Sequence, residues 1–153
     1  MAQKILVLCD TNILIELSKN DDKIKTELSK IGADHIAVSA ISVGEFLFGA
    51  RDKHELAKIN RSLNSIKIVH TDNEISELAI DLIEKYTLSH HLDVPDAFIA
   101  ATAIIRNLNL YTLNLKHFKY IEGLNYIHKH KFSSRTLQDL LKSGERKSGV
   151  IFE

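Results

Sequence analysis

Short runs of apolar residues recur along the chain and are separated by longer stretches with helical periodicity. The runs predict five β-strands, because continuous apolar stretches of this length suit a sheet that is covered on both faces. These runs occupy residues 4–9, 35–39, 66–70, 110–112 and 124–127.

The stretches between these runs predict six α-helices. In the longest of them, apolar residues from Ile75 to Tyr86 recur at helical spacing, and Thr71 or Asp72 is placed to cap its start. Strands that alternate with helices predict an α/β fold, in which a parallel sheet of about five strands has helices on both faces. The helices are predicted at residues 12–19, 21–31, 42–50, 53–64, 72–88 and 95–108.

Length and composition fit an ordinary globular domain. Of the 153 residues, 44% are hydrophobic and 26% are charged. No stretch approaches the roughly 20 consecutive apolar residues that a membrane span requires. The single cysteine, Cys9, cannot form an internal disulfide, which is consistent with the cytoplasm. We therefore expect a cytoplasmic protein that does not enter a membrane.

The composition becomes basic toward the C-terminus. Residues 128–153 carry six basic and three acidic side chains, a net of +3, whereas the other residues hold 14 bases and 17 acids. We divide the chain into a body, 1–128, and a basic extension, 129–153, in which Ser134 or Thr136 can cap a short helix. Three roles remain open for the extension: none, added positive charge for RNA, or a basic element that lies across an acidic groove of this or a neighbouring chain.

Two carboxylates lie where an open α/β sheet gathers its ligands. Asp10 directly follows the first predicted strand, at the carboxyl edge of the sheet, but its residue type also suits a helix N-cap, so both roles remain open. Asp96 lies in the first turn of the most apolar helix, after Pro95. Because one carboxylate is enough to cap this helix, we assign the cap to Asp93 and expect Asp96 to face the cleft.

Glu45 is a third candidate, inside the helix predicted at 42–50. Most carboxylates within helices face water, but apolar residues surround this one on nearly every side of the helix. The sequence therefore predicts that Glu45 points into a partly enclosed space, where a carboxylate needs a partner such as a cation.

Polar residues also follow the fourth predicted strand. Thr112 and Asn114 lie at the same edge of the sheet as Asp10, although short polar side chains also stabilise turns. His117 is interpreted as an ordinary loop histidine, because no second His or Cys stands at the spacing of zinc ligands. Five basic residues near the expected cleft are candidates for phosphate contacts: Arg51, Lys53, Arg106, Lys116 and Lys119.

The order of these fragments resembles the PIN domain, and most closely the VapC-type toxins of bacterial toxin–antitoxin pairs. The fragments are DTN after the first strand, GE within a helix, PDAFIAATA, and TLNLKHF after the fourth strand. The resemblance covers residues 4 to about 127, and it implies a three-layer fold with a parallel sheet between helices.

The resemblance also implies roles for individual residues. Asn114 stands where many members have a fourth acid, Thr112 matches a hydroxyl residue that supports the site, and Asn12 matches a polar residue that helps to hold the first carboxylate. Three residues match the acidic residues of the family's metal site: Asp10, Glu45 and Asp96.

The function implied is hydrolysis of RNA phosphodiester bonds by an endoribonuclease that uses Mg²⁺, with Mn²⁺ as a substitute, since oxygen ligands select hard cations. The neutral Asn114 favours one firmly held ion, with a second that arrives with the substrate. The implied protein partners are a cognate antitoxin and a second copy of the chain, as a homodimer. The alternative is a PIN fold with weak catalysis that binds RNA or protein.

Overall fold

The computed structural model describes residues 4–127 and 149–152 of the chain. Within them the strands are β1 (Val7–Cys9), β2 (Ile36–Ser39), β3 (Lys67–Val69), β4 (Asn109–Tyr111), β5 (Asn125–Ile127) and β6 (Gly149–Phe152). The α-helices are α1 (Thr11–Ser18), α2 (Asp22–Ile31), α3 (Ala40–Phe48), α4 (Lys53–Leu63), α5 (Asn73–His90) and α6 (Val94–Ile105). Short 3₁₀ helices lie at Ala33–His35 and Leu115–His117. The predicted α/β class is confirmed.

The described strands form one parallel sheet in the order β3-β2-β1-β4-β5-β6. The five predicted strands are all present, and β6 adds a strand beside β5 that the sequence did not predict. The short helix suggested near Ser134 or Thr136 lies outside the described residues. Because β2 and β4 pair with opposite sides of β1, the order reverses between β1 and β4. The carboxyl ends of strands at such a reversal are where α/β sheets bind ligands.

Successive residues of β1 face opposite layers, as the pleat of a strand requires. Leu8 belongs to an apolar core that α5 and α6 complete on one face of the sheet. Val7 and Cys9 belong to a second core, built with α1 to α4 on the other face. The sheet is therefore buried between two helical layers, which explains why its strands are apolar without alternation.

Each of the helices α1 to α6 is preceded by a residue whose side chain accepts a hydrogen bond from a backbone N–H of the first turn. The alternative between Thr71 and Asp72 is resolved, since Asp72 accepts a hydrogen bond from the backbone N–H of Ile75. None of the helices in the described ranges is long and apolar enough to cross a membrane. The capping residues of α1 to α6 are Asp10, Asp21, Ser39, Asp52, Asp72 and Asp93.

Candidate active site

Asp10 is a buried carboxylate at the junction of β1 and α1. Its side chain is 6% exposed, and the two oxygens accept hydrogen bonds from the backbone N–H of Thr11 (2.7 Å) and from the hydroxyl of Thr112 (2.8 Å). Burial raises the pKa of Asp10, the two hydrogen bonds oppose that shift, and the charge of Glu45 adds to it. Asp10 therefore caps α1, which confirms one of the two roles left open by the sequence, and its carboxylate also lies at the switch point.

The hydroxyl of Thr112 links three segments behind Asp10. Thr112 is 1% exposed, and its oxygen accepts hydrogen bonds from the backbone N–H of Asn114 (3.0 Å) and from the side-chain amide of Asn12 (3.4 Å). The side-chain oxygen of Asn12 in turn accepts from the backbone N–H of Leu113 (3.3 Å). Asn12 thus supports the first carboxylate through Thr112, and Asn114 contributes through its backbone while its side chain is exposed.

Glu45 is exposed at the rim of the site, so the prediction of a partly enclosed side chain is wrong. The apolar neighbours of Glu45 in the sequence do not mark a buried region, since Phe48, one of these neighbours, is itself 92% exposed. The residues of α3 that are buried are Ser42 and Phe46. The carboxylate of Glu45 is nevertheless held, because it accepts a 2.7 Å hydrogen bond from the hydroxyl of Thr11.

Asp96 lies in the first turn of α6, three positions after the predicted cap, Asp93. Asp93 accepts a 2.9 Å hydrogen bond from the backbone N–H of Asp96, which leaves the Asp96 carboxylate free of capping. Burial raises the pKa of Asp96 to about 7, and the charges of Asp93, Asp10 and Glu45 contribute in that order. The charges of Asp10 and Glu45 both raise the pKa of Asp96, so the three candidate carboxylates lie within electrostatic range of one another.

His117 also belongs to this site, which the sequence reading missed. Its Nδ1 lies 3.6 Å from a carboxylate oxygen of Asp96, and its charge lowers the pKa of Asp10. The missed signal was its position, since it follows Thr112 and Asn114 in the segment after β4 that lies at the carboxyl edge of the sheet.

The residue types of this site, rather than their arrangement in the structure, suit a divalent cation. Within the described part of the chain, no group of three or more His, Cys, Asp or Glu side chains lies in an arrangement that by itself could hold a metal ion. The three carboxylates instead repel one another, which a cation would relieve. Carboxylate oxygens are the ligands that Mg²⁺ and Mn²⁺ prefer.

The basic residues near the site fall into two groups. Arg51 bonds to Glu55 and Arg106 to Asp72, so these two are engaged with carboxylates. In the described ranges, three further candidates are exposed and make no ion pair: Lys53, Lys116 and Lys119.

The sequence profile of the PIN domain family matches residues 7–124. The chain belongs to the PIN domain family. This PIN domain is 32% identical over 120 residues to Ribonuclease VapC1 of Methanocaldococcus jannaschii, an alignment that covers 76% of this chain and 81% of that protein. The resemblance inferred from the sequence is therefore confirmed.

Two solved structures that share this fold are toxin–antitoxin complexes. The PIN domain matches a chain of a toxin–antitoxin complex from Klebsiella pneumoniae with a TM-score of 0.65 and 32% identity, over 75% of this chain and 92% of that chain. It also matches a chain of VapBC2 from Rickettsia felis, bound to a DNA fragment from its promoter, with a TM-score of 0.68 and 25% identity, over 80% of this chain and 97% of that chain.

Proposed function

We propose that this PIN domain is a cytoplasmic endoribonuclease and the toxin of a toxin–antitoxin pair. The observation that supports the proposal is the electrostatic proximity of three carboxylates. The charges of Asp10 and Glu45 raise the pKa of Asp96, and the charge of Glu45 also raises the pKa of Asp10. The relative from Methanocaldococcus jannaschii is named a ribonuclease, and the related complexes pair a toxin with an antitoxin. These relationships favour RNA as the substrate.

The residues that would hold Mg²⁺ are Asp10, Glu45 and Asp96. A bound divalent ion would lower the pKa of water. It would also compensate the negative charge that develops on the phosphate oxygens. Because Asn114 is neutral where many family members have an acid, we propose one firmly held ion, and a second that comes with the substrate. Mn²⁺ would replace Mg²⁺, since both ions prefer oxygen ligands.

The other residues of the site position these carboxylates and the substrate. Thr112 holds one oxygen of Asp10, and Thr11 holds one oxygen of Glu45. With these bonds in place, the two carboxylates keep fixed orientations before RNA arrives, which reduces the reorganisation that the reaction requires. The imidazole of His117 can donate a hydrogen bond to Asp96 or to a phosphate oxygen.

The nuclease activity is tested by incubating the purified protein with total RNA in Mg²⁺ and then in EDTA. We expect cleavage with Mg²⁺ and none with EDTA, and we expect Asp10→Asn to be inactive under both conditions. Binding of RNA without Mg²⁺-dependent cleavage would instead support the alternative, a PIN fold that acts as a binding module.

The metal assignment is tested by calorimetric titration of Mn²⁺, which requires no catalysis. We expect Asp96→Asn to weaken Mn²⁺ binding by about tenfold or more, because one negative ligand is lost. Asp81→Asn is the matched control, since Asp81 is an exposed acid on α5. Equal affinity and stoichiometry in the wild type and Asp96→Asn would remove Asp96 from the set of ligands.

A groove of about 380 Å³ beside Glu45 is the surface that we assign to the antitoxin. It runs between α1, α3 and α4, and its lining includes Ile15, Phe46 and Ile59. An apolar groove of this kind suits an amphipathic segment of a partner protein. Ile15→Glu should therefore abolish copurification with a coexpressed cognate antitoxin, while RNA cleavage by the free protein persists. Light scattering tests the proposed homodimer separately.

A further inference from the structure

Three aromatic side chains form a cluster at the C-terminal end of α5, and two of them are stacked. The rings of His90 and Tyr120 are parallel to within 12°, with their centroids 4.0 Å apart. Tyr86 lies edge-on to both rings, with centroid distances of 5.1 Å to Tyr120 and 5.7 Å to His90. Tyr86 is buried, Tyr120 is half-buried and His90 is exposed. The buried side of the cluster therefore supports the fold, while the imidazole of His90 is accessible to a ligand.

The stacked pair is close in the chain to residues of the carboxylate site. His90 is the last residue of α5, three positions before Asp93. Tyr120 lies three positions after His117, whose ring is 3.6 Å from Asp96. Burial raises the pKa of Tyr120, and the charges of Asp96 and Asp93 raise it further, which is consistent with the same proximity.

Two exposed cations accompany the rings in the same segment. Lys116 and Lys119 lie on either side of His117, and neither forms an ion pair within the described ranges. An accessible aromatic stack beside unpaired lysines is the combination with which proteins bind single-stranded nucleic acid, since bases stack on rings and phosphates pair with cations. Without a cation, the carboxylates of the acidic site offer no ring on which a base can stack and no positive charge for a phosphate.

We propose that the His90–Tyr120 pair is a stacking subsite for an unpaired base of the RNA substrate, close to the bond that is cleaved. The proposal rests on the proposed nuclease function and adds to it a base-binding element outside the carboxylates, the His90–Tyr120 ring pair. A base inside a duplex has both faces covered by its neighbours and cannot stack on the protein.

The subsite is tested by fluorescence anisotropy with a short fluorescein-labelled single-stranded RNA. All proteins carry Asp96→Asn, so that the RNA stays intact and the carboxylate repulsion is reduced. His90→Ala should raise the dissociation constant by about tenfold, because one stacked base is lost. His90→Phe keeps an aromatic face and should remain within about twofold of the parent protein. A duplex of the same sequence should compete poorly.

Two controls separate stacking from other effects. His54→Ala removes an exposed histidine of α4, outside the ring cluster, and should leave the affinity unchanged. Tyr120→Phe keeps the ring, whereas Tyr120→Leu removes it, so only the second should weaken binding. Thermal unfolding of each variant shows whether a loss of affinity reflects a loss of fold.

The outcomes distinguish the subsite from the nuclease function. If the wild type cleaves RNA in Mg²⁺ but His90→Ala binds RNA as tightly as its parent, the stacking subsite is wrong and the nuclease function stands. Equal weakening by His90→Ala and His90→Phe would also overturn stacking, because the imidazole would then act through its nitrogens. A wild type that neither binds nor cleaves RNA would overturn both proposals.

Discussion

The hydroxyl of Thr112 donates a 2.8 Å hydrogen bond to Asp10, 102 positions earlier in the chain. The hydroxyl oxygen also accepts hydrogen bonds from Asn12 and from the backbone of Asn114, so its single hydrogen is directed to the carboxylate. The end of β4 thereby fixes the orientation of a buried carboxylate at the end of β1. The parallel pairing of these two strands makes this contact possible.

Replacement of Thr112 by Val tests this contact, because Val has the same shape and no hydroxyl. The buried Asp10 then loses one of its two donors, and we expect the free energy of unfolding to fall by about 1–3 kcal/mol. RNA cleavage should fall by about tenfold or more, because the carboxylate is no longer held in place. Urea unfolding and initial cleavage rates measure the two effects.

Thr112→Ser is the control for that substitution, since it keeps the hydroxyl and removes only a methyl group. It should retain most of the cleavage rate while losing some stability through poorer packing. If Thr112→Val and Thr112→Ser cleave RNA equally well, the hydroxyl has no part in holding Asp10 for catalysis.

Asp96→Asn should stabilise the protein in EDTA while it abolishes RNA cleavage. The carboxylate of Asp96 is disfavoured by burial and by three neighbouring acids, so a neutral amide relieves that cost. At pH 8 we expect the free energy of unfolding to increase by about 1–2 kcal/mol. This is less than the free energy that corresponds to the whole pKa shift of Asp96, because the side chain is partly solvated. Asp81→Asn should change neither quantity, and a destabilised Asp96→Asn would show that its carboxylate is favourably paired without metal.

The stability of the metal-free protein should depend on pH in a defined direction. An Asp carboxyl ordinarily titrates near 3.8, whereas the folded protein raises the pKa of Asp96 to about 7. Between these values the folded state binds more protons than the unfolded state, so the free energy of unfolding falls as the pH rises from 4 to 7. Asp10 adds to the same trend, because its pKa is also raised.

Chemical unfolding in EDTA over this pH range measures the trend. Asp96→Asn should flatten it, and added Mn²⁺ should restore stability mainly above pH 7, where the carboxylates are ionised. A free energy of unfolding that rises steadily from pH 4 to 7 in EDTA would contradict the raised pKa of Asp96.

The sequence predicts the parts of the site that depend on the order of the elements. Asp10 and Thr112 each follow a buried strand, and the carboxyl ends of parallel strands meet at one edge, so their proximity could be expected. The division between Asp93 as cap and Asp96 as free carboxylate followed from the geometry of one helix end.

The parts that depend on tertiary packing could not be predicted in the same way. Apolar neighbours suggested an enclosed Glu45, but Phe48 is exposed, because an apolar residue on a helix marks burial only where another element covers it. The contact of His117 with Asp96 joins the 3₁₀ helix after β4 to α6, and no periodicity in the sequence encodes it.

The contact between Thr11 and Glu45 gives the last prediction. Within the described ranges, the exposed carboxylate of Glu45 accepts one hydrogen bond, which comes from the Thr11 hydroxyl at 2.7 Å. Thr11→Val should lower RNA cleavage by about tenfold, because Glu45 is then free to rotate. The free energy of unfolding should change by no more than about 0.5 kcal/mol, since the bond is at the surface.

A double-mutant cycle with Glu45→Gln identifies the route of this effect. If the hydroxyl of Thr11 acts through Glu45, then Thr11→Val should cause little further loss in a protein that already carries Glu45→Gln. The backbone N–H of Thr11 still donates to Asp10 in every variant, so the first carboxylate is unaffected by the change. Thr11→Ser should retain the wild-type rate. Fully additive losses would mean that Thr11 contacts the RNA itself, and that Glu45 is oriented by other means.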